Sequence, residues 1–308
     1  MFRQPAENNL GRITDRYSYD RRDELAKGRP PDPNSFDTDK IEARMNYQTL
    51  TLAEQGGIAL LTFNRPAKRN AISYELIDEL LAALEELQSG TTSVLLLTGA
   101  GNSFCSGMDL ENLKAITGRT AAENRKDSET MARIFRSIYE FPRPTIAVVN
   151  GPAVAGGCGI ATLCDFTIAS TEAKFGYPEV RIGFVPAIVS SWLVRQIGEK
   201  AARELLLTGR IISADEALRI GLITEIVEPA RLLERAHELA LQLLKNSPSS
   251  LVATKKLLNS YSGRDLEWQL EAAVEANAAS RTTEDFREGI SSFLEKREPK
   301  WIGTASKR

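Results

Sequence analysis

The chain has 308 residues, 42% of them hydrophobic and 26% charged, and a formal net charge of −2. That balance is ordinary for a folded globular protein and offers no basic surface for nucleic acid or membrane. With a single histidine, His237, outside every glycine loop, and only three cysteines, Cys105, Cys158 and Cys164, a Ser–His–Asp triad and a Cys/His metal centre are both disfavoured.

The three cysteines lie in apolar stretches, which points to reduced, buried thiols and a cytoplasmic protein. No apolar run is long enough to span a bilayer, and the N-terminus lacks a secretory-signal pattern. Residues 1–44 are polar and broken by proline. Lacking an apolar period, they are expected to be a disordered extension, with at most a short helix near Tyr17–Ala26. A start at Met45 would leave a core over 45–229 and a helical region over 230–308.

Tyr47–Leu52 and Gly57–Phe63 read as two strands joined by a turn at Gln55–Gly57, the second apolar enough to be internal. Asn64–Ser73 is a loop. Ser73–Gln88 is an amphipathic helix: Ser73 can cap it, and Leu76, Ile77, Leu80, Leu84 and Leu87 share one face before Gly90 stops it. Ser93–Thr98 is a buried strand running into Gly99–Asn102 and then FCSGMDL, from Phe104 to Leu110. Asp109–Tyr139 is mostly helical, with a polar break at Thr117–Thr120.

Thr145–Asn150, β-branched and apolar, is another buried strand. The loop Gly151–Gly157 follows, then a small-residue helix over Cys158–Cys164. Asp165 reads as a structural cap before a strand at Phe166–Ala169. Ser213 and Glu216 have the spacing of a capping box. From Ala230 to Arg297 the pattern is helical, broken at Ser247–Pro248, Ser262–Gly263 and Arg281–Thr283.

Two segments thus share one pattern: buried strand, glycine loop, helix start. At a helix start the first N–H groups lack partners within the helix, and glycine lets a ligand come close. Two such N–H groups, converging, can hold an oxyanion formed from a thioester or ester carbonyl. The alternative is a pair of tight connections with no ligand. Acid–base chemistry must then rest on a carboxylate, tyrosine, lysine or thiol. Glu179, which follows Pro178 in GYPEVRIG, is the leading candidate, against a reading as a surface glutamate.

Four motifs, NRPAKRNAIS (Asn64–Ser73), FCSGMDL, the GGCG loop and FGYPEVRIG (Phe175–Gly183), occur here in an order and spacing that resemble the enoyl-CoA hydratase/isomerase family, the crotonases. The resemblance covers roughly Tyr47 to Trp301. It implies an α/β fold, a crotonase-like spiral of ββα units with a C-terminal helical region, assembled into trimers or dimers of trimers. It also implies acyl-CoA thioester substrates, with coenzyme A arriving as part of the substrate and no separate cofactor or metal. By the same resemblance, the backbone N–H groups of Met108 and Gly156 form the oxyanion hole and Glu179 is the acid/base. Lys68, Ser106, Asp109, Leu110, Phe293 and Lys296 then lie along the substrate and its CoA moiety.

The chain departs from the best-known hydratases at Gly159, where those carry a second glutamate. The aspartate of dienoyl-CoA isomerases is also missing from Phe184–Ala187. In look the sequence is similar to bacterial methylglutaconyl-CoA hydratases, which implies an enoyl-CoA hydratase. Double-bond isomerisation on the single Glu179, and a non-catalytic acyl-CoA- or RNA-binding role, are the other two readings.

Overall fold

The computed structural model describes residues 47–301. The extension expected over 1–44, with its short helix, lies outside those residues. Strands β1 (Leu50–Gln55) and β2 (Ile58–Phe63) form an antiparallel hairpin across Gly56 and Gly57. Helix α1 (Tyr74–Ser89) is capped by Ser73, whose Oγ accepts from Leu76 N–H at 3.2 Å, and all five residues of its expected apolar face are buried.

Strand β3 (Val94–Gly99) leads through the FCSGMDL loop to α2 (Leu110–Ile116) and α3 (Ala121–Tyr139). A reciprocal capping box between Thr120 and Glu123 opens α3. Strand β4 (Thr145–Val149) leads through the second glycine loop, with the two-residue β5 (Ala153–Val154), to α4 (Gly156–Leu163). This helix starts at Gly156, two residues before the expected Cys158, because a first helical turn needs no intrahelical N–H bonds and so accommodates both glycines.

The rest of the α/β core is β6 (Phe166–Ser170), β7 (Lys174–Gly176), α5 (Ala187–Thr208, interrupted at Gly198), β8 (Ile211–Ser213), α6 (Ala214–Arg219) and β9 (Glu225–Val227). The main sheet has the order β1-β2-β3-β4-β6-β9, parallel throughout except for the first hairpin. A small second sheet, β5-β7-β8, lays the second glycine loop beside the segment that precedes Glu179.

Side chains alternate across the main sheet. Leu61, Leu95, Leu97, Ala147 and Val149 face the core shared with α1, α3 and α4. Leu60, Val94, Leu96, Ile146 and Val148 face Leu232, Ala236, Ala240 and Leu243 of α7 (Leu232–Leu244). Burial on both faces explains why these strands read as unbroken apolar runs. Helices α8 (Pro248–Ser260), α9 (Gly263–Ser280) and α10 (Glu284–Glu295) complete the described chain and break where Ser–Pro, Ser–Gly and the Arg281–Thr283 stretch predict.

Two local expectations need correction. Ser213 does accept from Glu216 N–H at 3.3 Å, but the Glu216 carboxylate is taken by both Arg210 nitrogens, at 2.7 and 2.8 Å, so the box is only half formed. Asp165 does more than cap: its Oδ2 accepts from Thr145 N–H (2.7 Å), Thr145 Oγ1 (2.9 Å) and Lys255 Nζ (2.6 Å), tying α8 to the start of β4.

Candidate active site

The site forms where neighbouring parallel strands β3 and β4 both end in glycine loops. The loops run side by side: Val154 N–H donates to Cys105 O at 2.9 Å, and Cys105 bridges Ala153 in parallel register. Any β-carbon on Gly157 would overlap the Cys105 carbonyl, so only glycine allows this approach. Asn150 Nδ2 clamps the first loop through Gly99 O (2.8 Å) and Gly101 O (2.7 Å).

The two expected oxyanion donors lie further along this pairing, where Gly107 passes Ala155 and Gly156. Ile72 N–H donates to Gly107 O (2.8 Å), and Asp109 N–H donates to Ile72 O (2.9 Å). These two bonds straddle Met108 and turn its own N–H away from Ile72. Gly107 adopts φ 84°, and its β-position lies 3.7 Å from Gly156 N. Gly156 is the first residue of α4, so its N–H points out of the helix start with the dipole behind it. Ala155, just before it, is held at φ 52°, ψ −126°, a conformation that costs a non-glycine residue about 1–3 kcal/mol. Its N–H is fixed to Gly176 O at 2.8 Å, which joins the donor loop to the segment leading to Glu179.

Glu179 lies in a single 3-10 turn, Pro178–Ile182, closed by Gly183 at φ 68°. The side chain is buried, and its Oε2 has no hydrogen-bond partner. Burial pushes the carboxyl up from 4.5 to about 7, against a smaller lowering by its own backbone N–H. A carboxyl poised there can take and return protons near neutral pH. Burial raises all three thiols to about 12, which leaves them inert.

Apolar groups line the space between these parts. Gly156 is bordered by Ile72, Met131 and Phe135, and Gly159 by Val189 and Phe135. Met108 and Phe184 both pack on the cluster of Leu113, Ile116, Phe286 and Ile290, which brings α10 against both the donor loop and the turn after Glu179.

The remaining sequence-predicted residues divide into two groups. Ser106 and Asp109 flank Met108. The Asp109 carboxylate caps α2 through Glu111 N–H (3.0 Å) and pairs with Arg65 (2.8 Å), so it holds the loop. Leu110 is exposed at the start of α2, and Lys68 is exposed with Glu111 3.6 Å away. Phe293 and Lys296 stand exposed at the far end of α10, beyond Phe286 and Ile290.

Sequence reasoning missed Arg65, Asn70, Phe135, Val189 and Phe286. Asn70 accepts from Arg65 N–H (2.9 Å) and donates to Ala100 O (2.9 Å) and Ser103 O (2.7 Å), locking the first loop. Its signal was present in NRPAKRN, where two polar residues flank a prolyl turn. Among the described residues no cluster of metal-ligating side chains occurs, and no helix is long and apolar enough to cross a membrane.

The family model described as enoyl-CoA hydratase/isomerase matches residues 53–304. A Thermus thermophilus protein classed by its name among the enoyl-CoA hydratases is 46% identical over 249 residues, 80% of this chain and 98% of its own. A short-chain-enoyl-CoA hydratase of Clostridium acetobutylicum is 35% identical over 82% of this chain and 97% of its own. The crystal structure of an enoyl-CoA hydratase/isomerase from Xanthobacter autotrophicus Py2 superposes with a TM-score of 0.76 at 29% identity, covering 82% of this chain and 98% of that one.

Proposed function

The chain belongs to the enoyl-CoA hydratase/isomerase family, and from that premise we propose that it hydrates the double bond of a 2-enoyl-CoA thioester. The observation that carries this reading is the buried Glu179 carboxyl, unpartnered at Oε2 and raised to about 7, beside the loops that present Met108 and Gly156. Glu179, ionised, takes a proton from water as the oxygen bonds to C3. The electron pair moves through C2 to the thioester oxygen, and the enolate is held by the Met108 and Gly156 N–H groups. The same carboxyl, now protonated, returns its proton to C2. One carboxylate thus serves both half-steps.

Lys68, Ser106, Asp109 and Leu110 lie along the CoA-bearing side in this reading, with Phe293 and Lys296 closing over it. Short enoyl groups of the 3-methylglutaconyl type are the proposed substrates. Self-association as a trimer or dimer of trimers belongs to the same proposal. It is supported by exposed Leu207 and Trp268 beside a groove lined by Val185 and Val194. The free, buried cysteines support a reducing, cytoplasmic setting.

Isomerisation is the second reading, favoured by one observation: apolar atoms occupy the space at Gly159 where a second carboxylate would sit. Incubation with crotonyl-CoA, 3-methylglutaconyl-CoA and a 3-enoyl-CoA separates the readings. Hydration adds the mass of one water. Conversion of the 3-enoyl-CoA at unchanged mass, with no hydration, would replace the hydratase reading by the isomerase one. No conversion of any would leave a binding role.

A further inference from the structure

The direction of the Met108 N–H is set by two stretches of chain, Ala71–Ile72 and Gly107–Asp109. They pair in parallel with Ile72 opposite Met108, through the two backbone bonds that straddle Met108. An isolated pair of strands is marginal in stability, so a bridge this short needs bracing from outside.

One side chain braces both stretches. Arg65 Nη1 donates to Ala71 O, one residue before Ile72, and Arg65 Nη2 donates to Asp109 Oδ2 at 2.8 Å, one residue after Met108. The guanidinium thus spans the bridge from one flank to the other. The two side chains are only 20% and 6% exposed, so solvent screens the pair little. The root of Arg65 is fixed as well. Its N–H donates to Asn70 Oδ1 at 2.9 Å, and its carbonyl accepts from the N–H groups of Lys68 and Asn70, both at 2.9 Å. Asn70 Nδ2 in turn holds Ala100 O and Ser103 O, so the clamp is anchored to the start of the same loop that carries Met108.

Capping of α2 does not account for this arrangement. Asp109 caps with Oδ1, through Glu111 N–H at 3.0 Å, and a serine or asparagine would do the same. The oxygen that Arg65 takes is the other one. An ordinary ion pair would need no backbone acceptor, yet the second arm of the guanidinium ends on Ala71 O. The donors of a guanidinium form a rigid planar fork, so its two arms fix the separation of the two stretches.

We propose that Arg65 is a positioning residue for the oxyanion hole: by gripping Ala71 O and Asp109 together, it aims the Met108 N–H at the thioester oxygen. This rests on the reading of the Met108 and Gly156 N–H groups as that hole. The Gly156 donor has its own fixture, the start of α4, so loss of the clamp weakens one donor and leaves the other. Lysine keeps the charge beside Asp109 but is a point donor without the planar fork, and restores the clamp only in part.

The test measures kcat, KM and the absorbance of a conjugated enoyl-CoA bound at saturation, in wild type, Arg65→Gln, Arg65→Lys and Lys255→Met. Lys255→Met serves as the control for lost stability, since Lys255 bonds Asp165 and Arg143 rather than the clamp. Arg65→Gln is expected to lower kcat about 10–10²-fold, the scale of a misplaced donor, and to diminish the red shift of the bound thioester. KM is expected to stay within about twofold, because the lost interaction belongs to the transition state. Arg65→Lys falls between Arg65→Gln and wild type, and Lys255→Met keeps both kcat and the shift. If Arg65→Gln does not fold, Arg65→Lys decides by the same readings. A full shift with near-wild-type kcat in the Arg65 variants overturns the proposal and leaves the hydratase reading standing. So does a raised KM with kcat and shift intact, which would move Arg65 to the CoA side, or an equal loss in Lys255→Met, which would reduce its role to stability. An unshifted spectrum in saturated wild type removes the hole itself, and the proposal with it.

Discussion

Val189 Cγ1 stands 2.7 Å from the point that a β-carbon on Gly159 would occupy, with the Phe135 ring 3.2 Å from the same point. The position that carries a second carboxylate in other hydratases is filled here by hydrocarbon. Gly159→Ala must therefore push into a packed core, at a cost of about 1–3 kcal/mol. Val189→Ala opens the space, so the double variant Gly159→Ala/Val189→Ala is expected to lose less than the sum of the two single losses. Urea denaturation of the three variants measures the coupling, and strict additivity would show that the two residues do not meet.

Glu179→Gln keeps size and hydrogen bonding and removes the base, so turnover is expected to fall by at least about 10²-fold while acyl-CoA still binds. The pH behaviour follows from the carboxyl's rise from 4.5 to about 7. Activity that needs the ionised form climbs with pH through about 7. Stability runs the other way. Between the two values the folded chain holds a proton that the unfolded chain has lost, so stability falls as pH rises, by up to about 3 kcal/mol above the folded value. Glutamine carries no such cost. The thermal stability of Glu179→Gln relative to wild type is therefore expected to increase from pH 5 to pH 8. A difference that stays flat across that range would mean that the carboxyl titrates normally.

What sequence reading could see, and what it could not, follows from how far each cause acts along the chain. The apolar face of α1, the breaks at Pro248 and Gly263, and the strand–loop–helix pattern around Gly156 are local properties of periodicity and turn chemistry. Met108, Gly156 and Glu179 could be named as candidates because their motifs keep order and spacing. The filling of the Gly159 position was not, because Val189 lies thirty residues away. The half-formed box at Ser213 failed for a related reason: Arg210 outcompetes the backbone for Glu216, and spacing alone carries no information on rival partners. Arg281, just past the end of α9, and Asp127, on α3, are far apart in the chain, and both sit in polar sequence that reads as solvent-facing.

The Asp165–Lys255 pair shows the same long reach. Lys255 is buried at the α8 face, with Nζ 2.6 Å from Asp165 Oδ2 and 3.1 Å from Arg143 O. Lys255→Met keeps the chain length and removes both bonds. It leaves Asp165 with Thr145 alone, and the expected loss is about 2 kcal/mol of stability. Because the pair lies away from Glu179, kcat is expected to hold. Chemical denaturation with parallel kinetics checks both halves, and a loss of activity at unchanged stability would place Lys255 in the chemistry instead.

The Gly156 N–H is expected to polarise the thioester carbonyl. It is the first residue of α4, where the N–H groups have no intrahelical acceptor and the helix dipole adds to their field. A conjugated enoyl-CoA bound at saturation should show a red-shifted absorbance, because the donors draw electron density toward oxygen. Gly156→Ala retains the N–H, and its β-carbon is tight only against the flexible end of Ile72, at 3.1 Å, with Met131 and Phe135 at an ordinary 3.8 Å, so the shift should survive with a modest fall in rate. Gly156→Pro deletes the hydrogen at a helical position that tolerates proline, although Ala155 at φ 52° adds local strain. There the shift should shrink and the rate fall by about 10²–10³-fold, the usual cost of one oxyanion donor. The alanine variant separates the lost hydrogen from the altered loop. If alanine and proline abolish the shift equally, loop shape rather than this N–H is responsible, and an unshifted spectrum in saturated wild type would remove the oxyanion hole itself.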